Sequence, residues 1–227
     1  MTTSKQLLLD FPIVDEFSFD NFVVHSNAEL VSALQADFLR QQAFVFIWGK
    51  VGTGKTHLLQ AACHLHQPGA YMPLRKFAGR SPDSLESLES LELVCLDDLE
   101  AVLGKRDWEE RLFMLFNNVR EQGGRLLISA SQSPRGLKFA LPDLASRLGW
   151  GVVYHLQELD DQGKAEALRL RAAGRGFALN DEVLNFILLR STRHMHSLFE
   201  VLDRMDHLSL QEKRRITVPF VKQVMQW

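Results

Sequence analysis

Apolar positions along the chain follow two regimes. In the first two thirds, short apolar runs alternate with stretches whose apolar residues recur every three or four positions; after residue 158 only the second kind remains. The runs at 44–48 (FVFIW), 70–74 (AYMPL), 93–96 (LVCL), 125–129 (RLLIS) and 152–156 predict five short buried strands. Between them, helical spacing predicts helices over 28–40 (Leu30, Val31, Leu34, Phe38), 57–66, 108–121 and 143–147. The stretch 84–92 repeats Ser-Leu-Glu three times with Leu85, Leu88 and Leu91 a helical turn apart, which predicts a surface helix and no chemistry. Helices over 162–173, 181–190, 195–208 and 218–226 follow, with Arg175-Gly176-Phe177 as a helix stop. Strand-helix alternation predicts an α/β fold: a five-stranded parallel sheet sandwiched by helices, then a small all-helical lid. The expected divisions are a tail over 1–15, an α/β domain over 16–157 and a lid over 158–227.

The first strand runs into Gly49 to Thr56, GKVGTGKT, which reads G-x-x-x-x-G-K-[ST]. Gly49, Gly52 and Gly54 let the backbone, with Val51 and Thr53, wrap a phosphate chain with N–H groups inward. Lys55 reaches terminal phosphates, Thr56 offers a hydroxyl to Mg²⁺, and the helix start at His57 adds its dipole. A nucleoside di- or triphosphate, ADP or ATP, with Mg²⁺ is the expected cofactor. The third strand ends in Asp97 and Asp98, at the strand end where α/β sheets place ligand groups. Asp97 is the expected second metal ligand, and Asp98 the group that orients or deprotonates an attacking water. After the fourth strand, Ser131 or Gln132 falls where a polar sensor of the γ-phosphate would sit, or merely caps a turn.

Composition narrows the surroundings. A net charge of −2 argues against a free-standing nucleic-acid binder, and no apolar run approaches a membrane span. Cys63 and Cys95 both fall in apolar contexts, which argues against a disulfide and for a reducing cytoplasm. The aromatic stretch Phe17, Phe19, Phe22 before the first strand either lines a base pocket or closes the core edge. Arg147, at the end of the short helix 143–147, either forms a surface ion pair with Asp143 or reaches a neighbouring subunit's γ-phosphate. Near the start, Gln6-Leu7-Leu8-Leu9-Asp10-Phe11 puts apolar side chains on an otherwise polar segment. Such a segment docks in another protein's groove or packs on its own domain.

These residues carry a resemblance that covers nearly the whole chain. GKVGTGKTHLLQAA, LVCLDDLE, LPDLASRLGWG, the RGF turn and the closing TVPFVKQV resemble AAA+ ATPases of the DnaA clade. The chain is expected to start at the ATPase domain and stop after the lid, without the helper-binding and helix-turn-helix domains of a full initiator. The resemblance implies a negative regulator of DNA replication initiation rather than a fast ATPase. In that reading an ADP-bound protein docks on the DNA-loaded sliding clamp, the β subunit of DNA polymerase III, through Gln6, Leu7, Leu9 and Phe11. Arg147 resembles the family's arginine finger and would act on DnaA-bound ATP; DNA is met only through the clamp.

Two positions depart from the clade's pattern. His196 stands where a second sensor arginine is usual, with Arg193 three residues earlier on nearly the same helical face, and Ser131 replaces the usual acidic first sensor. Both put the protein's own hydrolysis in doubt. Self-association through the nucleotide face leaves a homodimer among the expected states. Other readings stay open: a helicase loader, which predicts single-stranded DNA binding; a small-molecule kinase, which predicts an arginine-rich mobile lid; and a replisome adaptor for another AAA+ partner.

Overall fold

A computed structural model of the protein describes residues 17–35, 44–212 and 214–227. The elements run α1 Ala28–Gln35, β1 Phe44–Trp48, α2 Lys55–Leu65, β2 Gly69–Pro73, α3 Leu74–Phe77, β3 Leu93–Asp97, α4 Arg106–Glu121 and β4 Arg125–Ala130. They continue with α5 Pro142–Leu148, β5 Val152–His155, α6 Asp161–Gly174, α7 Asp181–Arg190, α8 Met195–Glu212 and α9 Val218–Met225. The five strands form one parallel sheet in the order β2-β3-β4-β1-β5. Central β3 and β4 are buried along their whole length, because helices cover both faces. At the edge, β5 alternates between half-buried and exposed residues instead.

Period-two geometry divides β1 between two cores. Phe44 and Phe46 join Val94, Leu96, Leu126 and Ile128 against α4 and α5, where Trp108 and Phe116 are buried. Val45 and Ile47 face the other way, with Cys95 and Leu127, against Leu30, Val31 and Leu34 of α1 and Leu58, Leu59 and Cys63 of α2. Cys63 and Cys95 are buried free thiols on this face. The lid has its own core, in which Leu168, Leu184, Ile187, Leu198, Leu202 and Phe220 meet. Asn27 holds the chain where it leaves β5, just ahead of the lid: its side-chain amide donates to the Gln157 carbonyl at 3.2 Å and accepts the Gln157 N–H at 2.9 Å. His25 adds Glu166 of α6 at 3.2 Å.

The expected surface helix over 84–92 does not form. The segment makes two 3-10 turns, Pro82–Leu85 and Leu88–Ser90, with Ser87 at φ 66° between them. Serine hydroxyls cause the break: Ser84 and Ser90 donate to the carbonyls of Ser81 and Ser87, bonds that compete with a helical ladder. Of the helix expected over 28–40, residues beyond Gln35 lie outside the described residues, as does the 6–11 segment. No described helix is long and apolar enough to cross a membrane.

Candidate functional site

The loop between β1 and α2 is closed around itself. Lys55 is 8% exposed, and its ammonium donates to the carbonyls of Gly49 at 2.7 Å and Lys50 at 2.9 Å. Burial lowers the Lys55 pKa, against the raising influence of Glu100, Asp97 and Asp98. Thr53 donates to the Lys50 carbonyl at 3.0 Å. Glycine is required by contact as well as by conformation: a Cβ on Gly49 would stand 2.5 Å from the Leu156 carbonyl oxygen. One on Gly54, at φ 101°, would stand 2.8 Å from the Phe22 ring.

Asp97, 2% exposed at the end of β3, collects three hydroxyls. Thr56 donates to Oδ2 at 2.7 Å, Tyr71 donates to the same oxygen at 2.8 Å, and Ser129 donates to Oδ1. Burial and the Asp97 charge push the Tyr71 phenol well above its ordinary pKa, so it remains a donor. Thr56 and Asp97 thus bring two oxygens together, a donor set that suits Mg²⁺ completed by phosphate oxygens and water. No cluster of three or more His, Cys, Asp or Glu is present among the described residues. Asp98 sits at φ 58°, and its carboxylate accepts from the Arg75 guanidinium at 2.9 Å.

These groups open on a cleft of about 980 Å³ between base and lid. Lys55, Thr56, Arg75, Asp98 and Glu100 line its polar end; Phe17, Phe22, Leu170 and Phe199 line its apolar side. Val51, Gly52, Thr53, Gly54 and His57 also reach it, so most of the loop residues named from the sequence line the cleft, while Gly49 and Asp97 lie behind its lining. His57 is packed between Phe17 and Phe22 and meets the Ser18 carbonyl at 2.8 Å, and burial lowers its pKa. A polar pocket with an adjoining aromatic wall fits a nucleotide's phosphates and base.

The lid and sensor positions divide. His196 lines the cleft and lies 3.3 Å from Glu200. Arg193 lies beside a neighbouring small crevice with Val51 and Gly52, 3.5 Å from Asp161. Ser131 and Gln132 are not among the cleft-lining residues; the Ser131 N–H is instead directed at Glu100, 3.2 Å away. Ser129, two residues earlier, is the one that meets Asp97. The inward alternation of β4 was the available signal, since Ser129 shares a register with buried Ile47. Tyr71, Arg75, Glu109 and Trp150 also went unmarked in the sequence.

Arg147 stands elsewhere. Its helix α5 leads into β5 beside the start of β1, where a Cβ on Gly151 would be 2.2 Å from the Phe44 carbonyl oxygen. The phosphate loop leaves β1 at the other end, after Trp48, roughly 13 Å of strand away. The Arg147 guanidinium lies 4.1 Å from the Trp150 ring centroid and 5.6 Å from that of Phe113. The buried carboxylate of Glu109, 0% exposed, fixes the approach to α5 by accepting the N–H groups of Gly104 (2.7 Å), Ala140 (3.0 Å) and Leu141 (2.6 Å).

A parallel sheet with a phosphate loop after β1, paired acids after β3 and a helical lid defines a P-loop domain of the AAA+ type. A family model described as the bacterial DnaA ATPase domain matches residues 13–71 and 79–155, more than half of the chain, and one described as the Hda lid domain matches residues 161–225. The chain belongs to the bacterial DnaA ATPase-domain family, with a lid of the Hda type. Solved structures agree on the fold. Domain III of the replication initiation protein DnaA from Thermotoga maritima superposes with a TM-score of 0.82 at 22% identity, covering 95% of this chain and 98% of that one. AMPPCP-bound DnaA from Aquifex aeolicus gives 0.72 at 24% identity, over 86% of this chain and 66% of that one. The RuvB Holliday junction branch migration motor of Thermotoga maritima gives 0.67 at 18% identity, over 94% of this chain and 72% of that one.

Proposed function

We propose that this protein is a nucleotide-bound negative regulator of replication initiation. Tethered to the sliding clamp through Gln6, Leu7, Leu9 and Phe11, it promotes hydrolysis of ATP held by DnaA. The observation that carries this reading is the place of Arg147, at the opposite end of the sheet from its own Lys55 and stacked on an exposed indole. An arginine there has no use for the chain's own phosphates and is disposed towards a partner's, where a guanidinium neutralises charge in the transition state. The protein's own ADP or ATP would be held by Lys55, the loop N–H groups, Thr56 and Asp97, with Mg²⁺ neutralising phosphate charge. The Arg75–Asp98 pair supports a nucleotide that is held rather than turned over, because the carboxylate is engaged by a guanidinium instead of being turned towards an attacking water. That pair counts equally against an autonomous helicase-loading ATPase. The net charge of −2 supports contact with DNA through the clamp.

The test is hydrolysis of DnaA-bound radiolabelled ATP with DNA-loaded clamp, ADP and this protein. Arg147→Ala is expected to lower the stimulated rate about 10³-fold, while Gln6→Ala with Leu7→Ala removes the clamp dependence. No stimulation by folded, ADP-bound wild type would overturn the reading.

A further inference from the structure

The geometry points to a second residue in that charge-presenting device: we propose that Trp150 is the positioning residue of Arg147. The inference rests on the reading of Arg147 given above. Trp150 is 58% exposed, an unusual place for so large an apolar ring. Its backbone is fixed on both sides: the Trp150 N–H donates to the Arg147 carbonyl at 3.0 Å, and Gly151 is locked under the Phe44 carbonyl. The indole is therefore a rigid plane beside a long, flexible side chain. Arg147 lies over that plane at 4.1 Å, and the Arg120 guanidinium lies 5.7 Å from the same ring centroid.

Stacking decides what the guanidinium has left to offer. A face-on contact with a ring uses the π face and leaves the in-plane N–H donors free, whereas an ion pair with Asp143 would consume them. Trp150 thereby holds Arg147 in a restricted orientation with its donors available to phosphate oxygens, before any partner arrives. Arg120 adds a second positive charge at the same ring and strengthens the field towards an anion. The face fits the nucleotide-bearing face of a second AAA+ domain, where a bound triphosphate supplies the oxygens.

Single-turnover hydrolysis of DnaA-bound ATP, titrated with this protein on DNA-loaded clamp, tests the assignment. Trp150→Ala is expected to lower the saturated rate about tenfold and to shift the half-saturating concentration less than about twofold. Trp150→Phe, which keeps an aromatic face, is expected to restore most of the rate. A Trp150→Ala protein with full saturated rate but weakened half-saturation would make Trp150 a docking contact and overturn the positioning role. Should Arg147→Ala itself leave stimulation intact, the finger reading fails; should it abolish stimulation while Trp150→Ala does not reduce it, this inference alone fails. A partner-free arm guards against misfolding: Trp150 emission, obtained by difference from Trp150→Phe, is expected to change in Arg147→Ala. Unchanged emission would show that the stack does not hold in solution, which also overturns the proposal.

Discussion

The two ends of the central sheet handle positive charge in opposite ways. At the phosphate-loop end Lys55 is buried, bonded to its own loop carbonyls and surrounded by Asp97, Asp98 and Glu100. At the other end Arg147 rests on the faces of Trp150 and Phe113 rather than against a carboxylate of the described residues. The first arrangement suits a site that encloses a ligand, since the buried ammonium already rests on oxygen acceptors and a phosphate offers oxygens of the same kind. The second suits a site that presents a charge, since an aromatic platform restrains a guanidinium without occupying its donors. One sheet thus separates an enclosed positive charge from a presented one by the length of a strand.

That contrast can be broken from either side. Glu109→Ala is expected to be the most damaging change, because it strands the N–H groups of Gly104, Ala140 and Leu141 at the approach to α5. A loss of about 3 kcal/mol is expected in urea denaturation; a loss near zero would mean that α5 is fixed by other contacts. At the enclosing end, Lys55→Ala is expected to weaken nucleotide binding by about 10²-fold in calorimetric titration. The clamp binding proposed above is expected to stay unchanged in that variant.

Tyr71→Phe removes one of the three hydroxyls on Asp97 and is expected to cost about 1 kcal/mol of stability. It should also raise the Mg²⁺ concentration needed for nucleotide binding. The smallest effect concerns His57, whose pKa is lowered by burial from its ordinary 6.5. As pH falls through 6.5 the unfolded chain takes up the proton first, so stability declines below that pH and is unaffected well above it. His57→Gln should therefore lose less stability than wild type between pH 7 and about 5.5, measured by thermal melts; parallel curves would mean that His57 titrates alike in both states.

Much of this was legible in the chain. The FVFIW run and the glycine spacing after it predict β1, the loop and α2, because local periodicity and backbone freedom are properties of adjacent residues. LVCLDD likewise predicts a strand that delivers Asp97 to a ligand. The 84–92 helix failed because side-chain hydroxyls competed locally with the helical ladder, a term that leucine spacing does not register. The Ser129 bond to Asp97 went unread because the extent of β4 decides which side chain faces that acid. Tyr71 and Arg75 went unseen for another reason: each acts through an acid more than twenty positions away, at or just past the end of β3.

By itself, the sequence determined the strand and helix sequence, the phosphate loop with its Lys55, Thr56 and Asp97, and the separate helical lid. It did so because each rests on short-range patterns whose spacing is the physics. Only the tertiary structure decided which hydroxyls satisfy Asp97, that Arg75 holds Asp98, and that Arg147 lies on Trp150 at the end of the sheet far from Lys55. Those outcomes depend on strand order and register, which bring distant residues within a few ångströms and which no local pattern encodes.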